Sequence, residues 1–423
     1  MSKCKSLNLI DINIAKKLPS PKYDFIITIN TNPELAGINL TQETKIAKTS
    51  QSDPDQFTLP FMEDGNYDCR VYWDINNLDV FTDFNGYPTD TSLLTHTYDD
   101  EGIYTIKISG LCEGWRFYYE GDFAKLIDIK EWGSKFKLAG NNLTDIGGYF
   151  GSCYNLNISA TNRPNLKGIR NLSDCFVDCT NLNSPNLSIW DVSNVENMSF
   201  MLNACEIFDQ PLNTWKTSNV TNMAGMFSVC SVFNQPLNDW DVSNVKNMSF
   251  MFSFTNIFNQ PLDKWNVSKV ENMSSMFSTV LAFNQSLNTW NTINVENMFD
   301  MFYGSTSFNG SVNEWNVSKV TNMARMFYGA IAFKQNISSW TPTLCTNMSQ
   351  MFGPSNPTTI ESVDMNTTGT TTNYDALLNS WAGKTLQTGV TFSGGASKYS
   401  QTGLNGRNTL ISKSWNITDG GPL

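Results

Sequence analysis

Histidine is almost missing: His96 is the only one among 423 residues. A lone imidazole beside a tyrosine, as in His96-Thr-Tyr98, reads as structural, and its isolation removes the usual bases for Ser-His or Cys-His nucleophiles and His-rich metal sites. No GxSxG, no phosphate-binding glycine loop and no HExxH occurs. Cations are scarce as well. Lys plus Arg number 28 against 39 Asp plus Glu, a net charge of −11 that opposes attraction to nucleic acid or anionic lipid. Residues 1–19 contain only short apolar pieces (Leu7, Leu9, Ile10, Ile12, Ile14), so neither a secretory leader nor a membrane-inserted segment is expected. Cysteine is present, nine times, but the count is odd and no CxxC occurs, which argues against a disulfide framework or a thiolate metal site. The acidic pairs Asp99 with Asp100 and Asp79 with Asp83 fall in turn-like segments, where solvated carboxylates are the simple expectation. These absences together predict no enzyme, no cofactor and no metal; a carboxylate-pair carbohydrate-active enzyme is the third and least favoured reading.

What the chain has in quantity is apolar and aromatic residues, 40% and 13%, enough to bury several cores in two to four domains. They are not scattered. Trp190, Trp215, Trp240, Trp265, Trp290, Trp315 and Trp340 follow one another at steps of 25. Methionine keeps the same step in two columns, one from Met198 to Met348 and one from Met201 to Met351, and phenylalanine does so from Phe208 to Phe333. Cys153, Cys179, Cys205 and Cys230 form a further column, continued by Thr255, Val280, Ser305 and Ala330, so the thiol there is a small buried residue. Weaker units precede these at an offset of 26, with Leu172, Phe176 and Leu182 echoing Ile146, Phe150 and Leu156. Repeats of this length stack, each unit covering the open face of the next.

Within residues 236–258, Leu237, Trp240 and Val242 have the spacing L-x-x-L-x-L, which predicts a short inward-facing strand. Met248, Met251 and Phe252 then fall at i, i+3 and i+4 behind Asn247, which predicts a capped helical turn. The asparagine column Asn197, Asn222, Asn247, Asn272, Asn297, Asn322 and Asn347 is read as structural, supplying acceptors to backbone donors where strand passes into helix. The expected fold is thus mainly a repeat solenoid, one strand plus one short helix per unit, preceded by a small β-sandwich.

The unit Phe233-Asn-Gln-Pro-Leu-Asn-Asp-Trp240-Asp-Val-Ser-Asn-Val245-Lys-Asn-Met248-Ser-Phe-Met251-Phe252 resembles the BspA-like family of leucine-rich-repeat surface proteins. The likeness is close from Leu172 to Phe352 and loose from Trp115 to Leu156, and it departs from ordinary leucine-rich repeats in placing the Asn ten rather than eight residues after the first Leu. It implies a right-handed strand-plus-helix solenoid used for adhesion or display, in bacterial, protist or phage-encoded proteins.

The flanks differ in character. Residues 1–56 are read as an arm with one strand at 23–30 and a polar stretch at 41–55. Residues 57–112 carry Val71-Tyr-Trp-Asp-Ile75, then Thr95-His-Thr-Tyr98 and Gly102-Ile-Tyr-Thr-Ile-Lys-Ile108, whose period of two marks half-buried strands; they resemble a PKD-type immunoglobulin-like sandwich. Residues 113–356 hold the repeats, and residues 357–423, with a helical run at 374–381, are expected to cap them.

Comparing units inside one chain separates what every unit needs from what it does not. Two exposed columns vary: Ile189, Thr214, Asp239, Lys264, Thr289, Glu314, Ser339, and Asp191, Lys216, Asp241, Asn266, Asn291, Asn316, Thr341. Asp239, Asp241, Lys264, Asn266, Thr289, Asn291, Glu314 and Asn316 are the candidate contacts to a protein or glycan on a surface, the alternative being a solvated face without a partner. Two functions compete. One is a virion component (phage fibre, decoration or tail protein) whose N-terminal segment docks to other virion proteins; the other is a bacterial cell-surface adhesin. Without a secretory leader the expected location is the virion, reached by lysis, ahead of a secreted surface.

Overall fold

The computed structural model describes residues 24–32, 51–139, 147–353, 362–366 and 370–423. Cys4, Tyr23, residues 41–50 of the polar stretch and residues 357–361 of the expected cap lie outside them.

The first part is one mixed sheet in the order β4-β3-β6-β1-β7-β9, with β8 added beside β6. Its strands are β1 (Phe25–Asn30), β3 (Phe61–Asp74), β4 (Asn77–Asn85), β6 (Ile103–Trp115), β7 (Leu126–Glu131), β8 (Phe136–Lys137) and β9 (Asn157–Ile158). A separate pair joins β2 (Gln56–Thr58) to β5 (Thr95–Thr97). Alternation sets which face is buried: Phe25, Ile27 and Ile29 from β1 meet Val71 and Trp73 from β3 and Ile106 and Ile108 from β6. Phe25 stacks on Phe136 at 3.7 Å and meets Trp115 edge-on at 5.3 Å. The expected self-contained sandwich at 57–112 is not formed. Period-two alternation shows that a strand is half-buried but not what it pairs with, and β6 pairs with β1, about 80 residues earlier in the chain, which in turn pairs with β7.

The strand-plus-helix solenoid is also corrected. Among the described residues there are only two α-helices, α1 (Thr372–Ala382) and α2 (Gln401–Ser412), and both follow the repeats. The 25-residue units are made of turns joined by single parallel bridges from Asn171 through Asn197, Asn222 and onward to Asn347. In the expected strand, the Trp240 N–H closes a turn onto the Leu237 carbonyl at 3.1 Å. In the expected helix, the N–H groups of Met248, Phe250, Phe252 and Phe254 donate to the carbonyls of Asn272, Ser274, Met276 and Ser278 in the next unit, while Met251, Ser253 and Thr255 donate three residues back. No i→i−4 ladder closes. The alternation requires left-handed backbone at two places per unit: Phe250 (φ 58°) and Phe254 (φ 60°), Ser275 and Thr279, Asp300 and Gly304.

The interior is columnar. Trp rings of successive units stack 6.1–6.3 Å apart from Trp265 to Trp340, and Phe252, Phe277, Phe302 and Phe327 stack at 5.6 Å. Each Trp Nε1–H from Trp215 to Trp340 donates to a carbonyl 28 residues earlier, as Trp290 does to Leu262 at 2.9 Å. The small column has a hydrogen-bonding role too, with Cys205 Sγ, Cys230 Sγ and Thr255 Oγ1 donating to the carbonyls of Phe176, Leu202 and Phe227. At the start, β9 pairs parallel with β7, so the first sheet runs into the stack. At the end, β10 (Asn347–Met348) continues through β11 (Thr391–Ser393) to β12 (Asn416–Thr418), and Trp381 of α1 donates from Nε1 to the Trp340 carbonyl at 3.1 Å. In α2, Gly403 and Gly406 bring it against α1: a Cβ on Gly406 would lie 2.7 Å from the Asn379 backbone nitrogen.

Candidate recognition surface

Each unit presents its two varying columns on a pair of turns flanking the buried Trp. Asp239, Lys264, Thr289 and Glu314 are exposed at the first turn, and Asp241, Asn266, Asn291 and Asn316 at the second. The turns form because the residue between the columns is anchored: Trp240 is buried, its N–H bonded to Leu237 and its Nε1 to Leu212.

The two columns differ in how far the fold dictates them. In the second, Asp241, Asn266, Asn291 and Asn316 each accept the backbone N–H two residues on, at 3.0–3.3 Å, closing an Asx turn. The Ser243 hydroxyl and N–H hold the Asp241 carboxyl below the usual carboxylate range. Their Asp/Asn identity is therefore partly architectural. The first column is freer. Lys264 Nζ meets Asp239 Oδ1 at 2.8 Å with both well exposed, Thr289 Oγ1 donates to the Asp263 carbonyl at 2.7 Å, and the Glu314 carboxylate has no partner among the described residues. An exposed pair of this kind contributes little to stability, which leaves these side chains available to a partner.

The strand-to-helix transition at which the sequence places the asparagine column is not formed. Each Oδ1 from Asn171 to Asn347 accepts the N–H two residues on, at 2.8–3.1 Å, within a bridge rather than at a helix start. A second side-chain ladder went unnoticed: Asn234 Oδ1 accepts from Asn259 N, Asn259 Oδ1 from Asn284 N and Asn284 Oδ1 from Asn309 N. Its signal was the recurring Phe-Asn-Gln triplet at 233, 258 and 283.

Sequence reasoning also missed a second varying face, at the left-handed positions. Phe250 and Phe254 are 43% and 51% exposed there, near Ile257 in sequence. At the Phe250 position later units carry Asp300 and Arg325, paired at 2.5 Å, the guanidinium lying over Phe299 and Tyr303. The visible trace was large apolar residues at positions where neighbouring units carry Gly225, Ser275 or Gly304.

Concave surface occurs at the first Trp unit. Two adjoining cavities of about 490 and 380 Å³ share Arg163 and Asp191; Lys167 lines one, and Trp190, Thr214 and Lys216 the other. The Ser193 hydroxyl and N–H, helped by Arg163 and Lys216, hold the Asp191 carboxyl below its ordinary range. Elsewhere His96 is half-buried, stacked on Trp73 at 4.8 Å and edge-on to Tyr98 at 4.6 Å, and burial lowers its pKa. Among the described residues no group of three or more His, Cys, Asp or Glu is placed to hold a metal, and no helix is long and apolar enough to cross a membrane.

No curated protein and no solved structure matches the chain at a significant level. The family described as "Mycoplasma protein of unknown function, DUF285" matches twice, over residues 144–265 and 250–364. The two matches overlap and together span residues 144–364, just over half of the 423 residues, and the chain therefore belongs to the DUF285 family.

Proposed function

We propose that this chain is a non-enzymatic recognition protein displayed on a surface, with the stacked units presenting a contact face to a protein or glycan. The observation behind this reading is the division of labour within the unit. The buried Trp, Met and Phe columns that stack between units stay constant, while exposed positions such as Asp239, Lys264, Thr289 and Glu314 change from one unit to the next. Selection for stacking alone gives no reason for a large aromatic such as Phe254 to sit exposed in left-handed backbone.

The first assignment is a virion-associated fibre, decoration or tail protein, whose N-terminal sheet docks to the particle and whose units reach the host. The second is a bacterial cell-surface adhesin, favoured by the likeness of the Phe233–Phe252 unit to BspA-like repeats. Mass spectrometry of purified particles and of washed cell surfaces separates them: recovery from particles supports the first, and recovery only from the cell surface sinks it. For the contact face, replacing Asp239, Lys264, Thr289 and Glu314 together by alanine is expected to abolish attachment of the purified chain to its target cells without lowering its melting temperature. Undiminished attachment would remove this face from the proposal.

A further inference from the structure

The first sheet ends on one side in β9, where the stack begins, and on the other in β4, which among the described residues is paired with β3 alone. All of β4 except Thr82 and Phe84 is exposed. The Gly86 N–H bonds to the Tyr67 carbonyl at 2.7 Å, which fixes the alternation of the ladder. Phe84 and Thr82 turn their backbone groups toward Cys69 and Val71, while Phe81, Asp83 and Asn85 turn theirs outward. An open edge of this kind accepts a further strand unless lysine, proline or a bulge spoils it. β4 contains neither lysine nor proline, its register shift lies at the Asn77 end, and Leu78, Val80 and Phe81 stand exposed on its two faces.

The charges on the edge say what kind of strand fits. Arg70 holds Asp83 through two bonds of 2.6 and 2.7 Å, whereas Asp79 has no ion-pair partner among the described residues. Two such acidic edges repel each other, and a strand bearing lysine is drawn in. The chain carries that pattern in residues 8–17, Asn-Leu-Ile-Asp-Ile-Asn-Ile-Ala-Lys-Lys, which lie outside the described residues. Ile10, Ile12 and Ile14 alternate with polar or small residues, and residues 1–23 hold five lysines against one aspartate in a chain of net charge −11. Set antiparallel to β4 with Lys17 opposite Asp79, this segment has Ala15 opposite Phe81, Asn13 opposite Asp83 and Asp11 opposite Asn85, so its one carboxylate avoids those of the edge. The donor is another copy, because β6 and β3 separate β1 from β4. In that register Lys17 lies about 23 Å from Asp24 across the sheet. The intervening chain, which includes Pro19 and Pro21, spans about 25 Å at full stretch, with no allowance for passing over two strands.

We propose that residues 8–17 of one copy add as a strand to β4 of the next, joining copies head to tail. This goes beyond the recognition reading and does not depend on it. Sedimentation of the full chain over a concentration series tests it, together with hydrogen exchange at the Phe81, Asp83 and Asn85 amides. Association with protection of these amides is expected, and Ile12→Asp is expected to weaken it at least about tenfold by taking an apolar side chain from the contact. Phe81→Pro, which removes an outward donor and leaves the β3 ladder intact, is expected to weaken it as well. Because that variant can disturb β4 itself, the charge pair gives a second measure: Lys17→Asp is expected to weaken association at least about threefold, and adding Asp79→Lys to restore it. A chain that stays monomeric at every concentration, or association untouched by Ile12→Asp, overturns the proposal. Association lost with Phe81→Pro and kept with Ile12→Asp assigns the edge to a second β4 instead. Protection of the Phe81 and Asp83 amides in a monomer, removed by Ile12→Asp, assigns the strand to the same copy and overturns the head-to-tail joining.

Discussion

The repeated polar residues act on backbone donors, and their consequences are local. Asn247 Oδ1 is the acceptor for the Ser249 N–H at 3.0 Å, and Ser249 is buried. Asn247→Ala is expected to cost about 1–3 kcal/mol, the penalty of stranding a buried donor, seen as a lower denaturant midpoint with an unchanged slope. Asp241 stands differently, because other units use Asn at its position for the same Asx turn. Its carboxyl titrates below the ordinary range, so the folded chain favours the ionised form. That contribution is full above the unfolded value of about 3.9 and is lost as pH falls through the lower folded value. Asp241→Asn keeps the acceptor and removes the titration. It is expected to leave the melting temperature at pH 7 unchanged and to reduce its fall in strong acid, measured by calorimetry across pH.

At the level of the unit, the decisive property is the backbone between Met248 and Thr255. Side chains at i, i+3 and i+4 share a face in a helix, but they also do so here, where donors alternate between the next unit and the residue three back. The arrangement exacts strain wherever a β-branched residue occupies a left-handed position, as at Thr279 (φ 58°) and Val229 (φ 61°). Gly304 and Gly329 occupy the Thr279 position in later units. Relief of strain of about 1–3 kcal/mol outweighs the entropy lost by glycine, about 0.5–1 kcal/mol. Thr279→Gly is therefore expected to raise the denaturant midpoint; a lowered midpoint would show that the left-handed backbone there is not strained.

Across the whole molecule, both ends of the stack are covered. The first sheet supplies β7 to pair with β9, and residues 370–423 supply β11 beside β10 and lay Trp381 against Phe392 and Trp415. Lys384 Nζ reaches the carbonyls of Ser338, Ser339 and Trp340. Removing residues 370–423 uncovers Trp340, Met348 and Phe352 and leaves β10 as an open edge. Such a chain is expected to associate at micromolar concentration, read by light scattering. A monomer with unchanged unfolding would show that the segment is not needed to close the stack.

The sequence alone determined the period, the inward columns of Trp, Met and Phe, the acceptor role of the Asn column and the exposure of the varying residues around Asp239 and Lys264. Each of these is a demand repeated in every unit, so comparing units reveals it. Only the tertiary structure decided the path of the backbone, because identical side-chain spacing is compatible with a helix or with left-handed turns, and the choice lies with donors satisfied by a unit about 25 residues away. It likewise decided that β1 and β7 complete the sheet, and that the column's first indole, Trp190, is left without an acceptor beside Arg163 and Lys216. Events that occur once, at the ends of a stack, leave no period in the sequence to read.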